Sequence, residues 1–195
     1  MEQIINQIIE NLEQLVISSP PYLGVLIGMF VIVLESMLPM LPLAVFIALN
    51  MVLFGNLAGF IMSWVATIIG CILMFTISRK YFSNFFERKT KNSKKVKNLM
   101  NIINKMEFST LVIITALPFT PAFLINIAAG LSKMSYKKFI LNILISKIAV
   151  IYFWGYIGTT FLDSLNDMGV LIKLGILLGG TYILSKVIMK KNKIE

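Results

Sequence analysis

Apolar residues in this chain gather into long runs rather than into the one-sided stripes of a soluble helix. Gly59 to Ser78 holds no charged residue, Phe139 to Phe161 holds only Lys147, and Met168 to Ser185 holds only Lys173, near one end. Each run is close to the roughly 20 apolar residues that cross about 30 Å of hydrocarbon, and each predicts a transmembrane helix. Two further runs, Tyr22 to Phe54 and Thr110 to Gly130, are cut near their centres by proline: Pro39 and Pro42 in the first, Pro118 and Pro121 in the second. Proline removes a backbone donor and its ring displaces an upstream carbonyl, and unpaired backbone groups facing lipid are too costly to persist. Each cut run therefore predicts a re-entrant pair of short helices buried against the full spans.

The N-terminal stretch has a different pattern. Ile4, Ile5, Ile8, Ile9, Leu12, Leu15 and Val16 recur at helical spacing opposite Gln3, Gln7, Glu10, Glu13 and Gln14. This predicts an amphipathic helix over 1–21, lying in the membrane interface or packed on the protein's own soluble face. It lacks the basic region and cleavage site of a secretory signal.

Charge supplies the topology. None of the 18 Lys and Arg residues precedes Arg79, and nine of them fall between Arg79 and Lys105. The positive-inside rule makes 81–108 a cytoplasmic loop. A re-entrant hairpin over 109–131 returns Lys133, Lys137 and Lys138 to that same side. A span over 136–161 then places Asp163 and Asp167 outside, and a last span over 168–189 leads to a cytoplasmic basic tail, 190–195. The span over 59–80 must start outside, so the hairpin over 22–55 enters and leaves from the outer face. The expected fold is an all-α polytopic membrane protein whose core, 22–161, is an inverted repeat of hairpin and span. That is the design of alternating-access transporters. "LPMLPLAVFIALNMVLFG" and "LPFTPAFLINIAAG" share Leu-Pro-x-x-Pro, an asparagine (Asn50, Asn126) and a closing glycine (Gly55, Gly130). The plainer alternative is two unrelated proline kinks.

Composition agrees with membrane integration: 57% of residues are hydrophobic and 14% charged, against about 25% charged in soluble domains. A net charge of +9 would ordinarily suggest nucleic acid, but its placement serves topology, so no nucleic-acid partner is expected. With one cysteine and no histidine, an internal disulfide is excluded and the commonest metal ligand and general base are missing. No carboxylates cluster on one helix face. Neither a metal, a cofactor nor an enzymatic activity is expected.

A few residues could carry chemistry. Glu35 is the only charge in its run, and an ionisable group at that depth costs about 3 kcal/mol or more, which marks it as functional or as a protonated support for amides freed at the proline break. Lys147 lies eight residues into its apolar run, about 12 Å along a helix axis. It either snorkels to the cytoplasmic surface or forms an intramembrane pair or relay with Glu35. Gly55, Gly59, Gly70, Gly130, Gly155 and Gly158 suit close helix approach. Val96, Leu99, Ile103 and Met106 share a face opposite Lys94, Lys95, Lys97 and Lys105. That pattern fits an amphipathic helix on the anionic leaflet or a plain topological anchor.

The glutamate, the Pro-x-x-Pro and the following "LFGNLAG" resemble the DedA or VTT-domain superfamily, also called SNARE-associated Golgi proteins, across roughly Glu35 to Gly158. The matching positions are Glu35, Pro39, Pro42, Gly55, Gly59, Gly70 and Arg79, then Pro118, Pro121, Asn126, Gly130, Phe139, Gly155 and Gly158. The resemblance implies that Glu35 is the acid of the first hairpin. The bacterial branch usually has a second acid where this chain has Leu43-Ala44, and an arginine where it has Thr115. The paired second proline is more similar to the yeast Golgi branch. Members are associated with moving phospholipid or undecaprenyl phosphate between leaflets. The implied function is a lipid transporter of flippase or scramblase type in the inner, or plasma, membrane. Membrane lipids would be its partners, an anionic phospholipid or undecaprenyl phosphate, and a homodimer is left open. Glu35 would gate or couple, Lys147 or Arg79 would attract phosphate, and Asn126 and Thr115 would line the path. A proton- or cation-coupled antiporter for a small solute or ion is the alternative.

Overall fold

In a computed structural model, residues 21–37, 43–82, 94–132, 134–164 and 167–192 are described. Residues 1–20 of the amphipathic helix expected over 1–21, the break at Pro39 and Pro42, and residues 83–93 of the basic loop lie outside these residues. The described chain is helical. Pro21 occupies the first position of α1 (Pro21–Met37), where its fixed φ suits a helix and its missing donor costs nothing. Helix α2 (Leu43–Phe54) follows, and Gly55 alone joins it to α3 (Asn56–Ile77). This joint needs φ near +86°, a backbone state that glycine adopts without strain. The chain continues from α3 as a π-helical turn, Ser78–Phe82.

The second half repeats short and long elements. It comprises α4 (Lys94–Lys105), α5 (Phe108–Ala116), α6 (Ala122–Leu131), α7 (Tyr136–Asp163) and α8 (Met168–Lys191). Ser135 caps α7 by accepting from the Lys138 amide, and Asp167 caps α8 by accepting from the Gly169 and Val170 amides. Both are oxygens placed where a helix start leaves donors unpaired. Asn56–Tyr81, Tyr136–Phe161 and Met168–Lys191 are long and apolar enough to cross a membrane.

Helices α3 and α7 pack on each other and carry the rest. Helix α1 packs on α3 and α5 on α7, while α2 also reaches α7 and α6 crosses to α3. The backbones approach closely because glycines stand at the crossings. A methyl on Gly70 would come within 2.6 Å of Ser36 Cβ, on Gly130 within 2.8 Å of Ser78 Cβ, and on Gly158 within 2.6 Å of Ala48 Cβ. One on Gly59 would collide with the Asn50 carbonyl, and one on Gly155 with the Met51 thioether. Gly55 departs from this set. A methyl there would meet nothing within 4 Å, so its requirement is conformational.

At one end of the bundle a cation ties three elements together. Arg79 donates from Nε to Gly130 O (3.1 Å) and from Nη2 to Ser132 O (3.0 Å), Met134 O (2.6 Å) and Ala129 O (3.5 Å). Its guanidinium also lies over the rings of Phe75 and Tyr136, 4.5 and 5.1 Å from their centroids. The Gly130 carbonyl at the end of α6, and those of Ser132 and Met134 just beyond it, thereby gain a charged donor. Lys138 Nζ donates to Met106 O at 2.9 Å, so α5 begins at the end where α6 finishes. Ile103 and Met106 of the basic helix region are buried in the cluster built on Phe75, Leu111, Ile125 and Phe139. That part of the amphipathic face is covered by protein rather than by a leaflet.

Candidate functional site

The break between α5 and α6 is explained by its own sequence, Leu117-Pro118-Phe119-Thr120-Pro121. Pro118 has no amide to offer the Ile114 carbonyl one turn back. The Thr120 hydroxyl donates to that carbonyl instead, at 2.8 Å. Pro121 likewise leaves the Leu117 carbonyl open, and the Thr120 amide donates to it at 3.2 Å. The tip is thus a tight, internally bonded turn. Phe119 anchors it by edge-on ring contacts to Phe153, Trp154 and Tyr182.

Beside this turn lies a cavity of about 600 Å³, within the 300–1,000 Å³ typical of small-molecule sites. Its wall draws on both halves of the chain: Glu35 and Ser36 at the end of α1, Thr67 and Cys71 in the middle of α3, Thr115 at the end of α5, Thr120 in the turn, Asn126 in α6, and Lys147 and Trp154 in α7. Helix α7 starts at Tyr136, three residues earlier than the apolar run, so Lys147 sits about 17 Å along its axis. Lys147, Val150 and Trp154 follow at the spacing that keeps one helix face toward one place.

Glu35 and Lys147 are 8% and 5% exposed. They nevertheless form no ion pair within 4 Å, and neither hydrogen-bonds to another described residue. Both charged groups are therefore presented to the cavity rather than to each other. Asn126 donates from Nδ2 to Cys71 Sγ at 3.3 Å. The Thr115 hydroxyl is placed to donate to Leu111 O (2.7 Å) or to Asn142 Oδ1 (3.0 Å). Thr67 Oγ1 and Ser36 Oγ are buried without a hydrogen-bond partner. Among the described residues no three His, Cys, Asp or Glu side chains gather as a metal site would require.

Four residues singled out in the sequence thus meet here: Glu35, Lys147, Asn126 and Thr115. Arg79 is absent from the cavity wall, its guanidinium being occupied by the carbonyls closing α6. Pro118 and Pro121 line the cavity and shape its turn, while Pro39 and Pro42 are not described. Sequence reasoning passed over Ser36, Thr67, Cys71, Thr120 and Trp154. The available signals were spacing from Lys147 to Trp154, the four-residue step from Thr67 to Cys71, and the position of Thr120 inside the proline break.

Comparison with known proteins adds a family. The VTT domain pattern matches residues 41–160. The chain is 34% identical over 135 residues to an uncharacterized membrane protein, YhjE, of Bacillus subtilis (strain 168), covering 69% of this chain and 65% of that protein. It is 28% identical over 161 residues to an uncharacterized protein, YqeD, of the same organism, covering 83% of this chain and 74% of that protein. No solved structure matches.

Proposed function

Because the chain belongs to the VTT-domain family of membrane proteins, we propose that it moves a lipid headgroup between leaflets through the cavity that holds Glu35 and Lys147. The observation that carries this reading is the pair of buried, mutually unpaired charges, one from each half of the chain, facing a single cavity near the middle of α3 and α7. A charge at that depth is expensive and persists where it meets water or a polar cargo. The return of α5–α6 to the Arg79 end supports reading the pair as a re-entrant hairpin. The exchange of α2 and α6 between the two long helices supports an inverted repeat with α1–α2 as the opposed hairpin. In this reading the basic loop, the connector before α7 and the C-terminus face the cytoplasm of a cell carrying the protein in its plasma membrane.

Lipid tails stay in the bilayer while the headgroup crosses between the hairpin ends. Lys147 attracts the phosphate, assisted by Asn126 and by Thr115, and Glu35 gates or couples. Arg79 holds the hairpin rather than the cargo. The test is leaflet translocation in liposomes containing the purified protein, with phospholipids of several headgroups and undecaprenyl phosphate. Wild type accelerates transfer, and Lys147→Met abolishes it. Transfer equal to that of empty liposomes for every lipid overturns the reading. The buried Glu35 carboxylate favours a second one, a proton- or cation-coupled antiporter of a small solute. In that case an ion gradient is dissipated without lipid movement.

A further inference from the structure

The cavity presents two opposite charges that are not spent on each other. A site built only for an anion would gain from Lys147 and lose from Glu35, since a carboxylate facing an anionic phosphate in a poorly hydrated space repels it. A site built only for a cation meets the reverse problem. Pairing the two side chains directly would remove both penalties, yet no ion pair forms between them.

We propose that the cavity recognises a zwitterion: its anionic centre is held by Lys147 with Asn126 and its cationic centre by Glu35 beside the Trp154 ring, so that one ligand completes both charges. Trp154 and Glu35 both line the wall, and an indole face with a carboxylate is a favourable setting for an ammonium. Thr67 and Ser36 supply nearby hydroxyls without partners. The inference deepens the lipid reading by preferring a phosphoethanolamine or phosphocholine headgroup over phosphatidylglycerol or undecaprenyl phosphate. The same chemistry is carried by free zwitterions such as phosphoethanolamine itself.

Two measurements on the full-length protein test it. In detergent, thermal stabilisation is titrated with phosphoethanolamine, glycerol phosphate, inorganic phosphate and ethanolamine. Phosphoethanolamine is expected to act at concentrations about tenfold lower than glycerol phosphate, the effect of one added charge-assisted contact. Glu35→Gln removes that advantage and Glu35→Asp retains it, provided both variants elute as folded protein. In liposomes, tail-labelled phosphatidylethanolamine is expected to cross faster than phosphatidylglycerol with the same tails, and Glu35→Gln lowers that ratio. Equal responses to phosphoethanolamine and glycerol phosphate, or a ratio unmoved by Glu35→Gln, overturn the zwitterion while leaving lipid transport standing. Uptake of free phosphoethanolamine with no lipid movement keeps the zwitterion and removes the lipid reading.

Discussion

At the scale of single residues, Glu35 and Lys147 stood out because their burial has a cost that sequence alone exposes. Glu35 stands alone in an apolar run and Lys147 lies eight residues into its own, so Glu35 needed a polar setting and Lys147 either that or a reach to the membrane surface. Their common cavity was not legible, since it depends on residues of α1 and α7, more than a hundred apart in the chain, lining one wall. Arg79 shows the opposite case. A cation at the end of a span resembles a phosphate contact, but its partners are carbonyls that begin fifty residues later. The glycines divide by the same logic. Gly130 faces the Phe75 carbonyl and Ser78 Cβ, backbone and near-backbone atoms that cannot swing aside. Gly130→Ala is expected to cost about 1–3 kcal/mol, read as a lower unfolding midpoint in detergent. Gly175→Ala, where a methyl meets nothing within 4 Å, leaves the midpoint unchanged or slightly higher.

At the scale of elements, the α5–α6 pair depends on two fastenings, the Thr120 hydroxyl at its turn and Arg79 at its exit. Thr120→Val keeps the shape but removes the shorter of two bonds to the Ile114 carbonyl, leaving it the Leu117 amide at 3.3 Å, a loss of about 0.5–1.5 kcal/mol. Hydrogen exchange at residues 114–121 is expected to quicken in this variant while α8 exchanges as before. Arg79→Gln loses several charge-assisted bonds together with the stacking on Phe75 and Tyr136. Exchange rates and protease cleavage between Leu131 and Tyr136 should rise, with transport falling as a consequence of a loosened hairpin. Arg79→Lys recovers little, because an ammonium cannot serve carbonyls spread over a fork-shaped donor set. The break itself was readable from Pro118 and Pro121. The repair by Thr120 was not, because a threonine next to proline bonds in many ways and only the folded turn selects one.

At the scale of the whole molecule, labelling can decide whether the α5–α6 pair returns or crosses. The π-helical turn with Arg79, the connector before Tyr136 and the start of α5 all lie at one end, held by the Arg79 bonds and by Lys138 on Met106. With nine basic residues between Arg79 and Lys105, the positive-inside rule predicts that this end faces the cytoplasm. If the α5–α6 pair crossed the membrane instead of returning, the connector would emerge on the opposite face from the basic loop. A cysteine-free background is available by replacing the single, buried Cys71 with alanine. In that background, single cysteines replacing Lys80, Lys137 and Lys190 are expected to resist a membrane-impermeant maleimide in intact cells and to react once the membrane is opened. A cysteine replacing Asp167, at the exposed start of α8, should react in intact cells. Reaction of the Lys137 cysteine from outside, with Lys80 protected, would convert the hairpin into a crossing pair. The two halves could not then be inverted copies, and Glu35 and Lys147 would have to meet by some route other than two opposed hairpins.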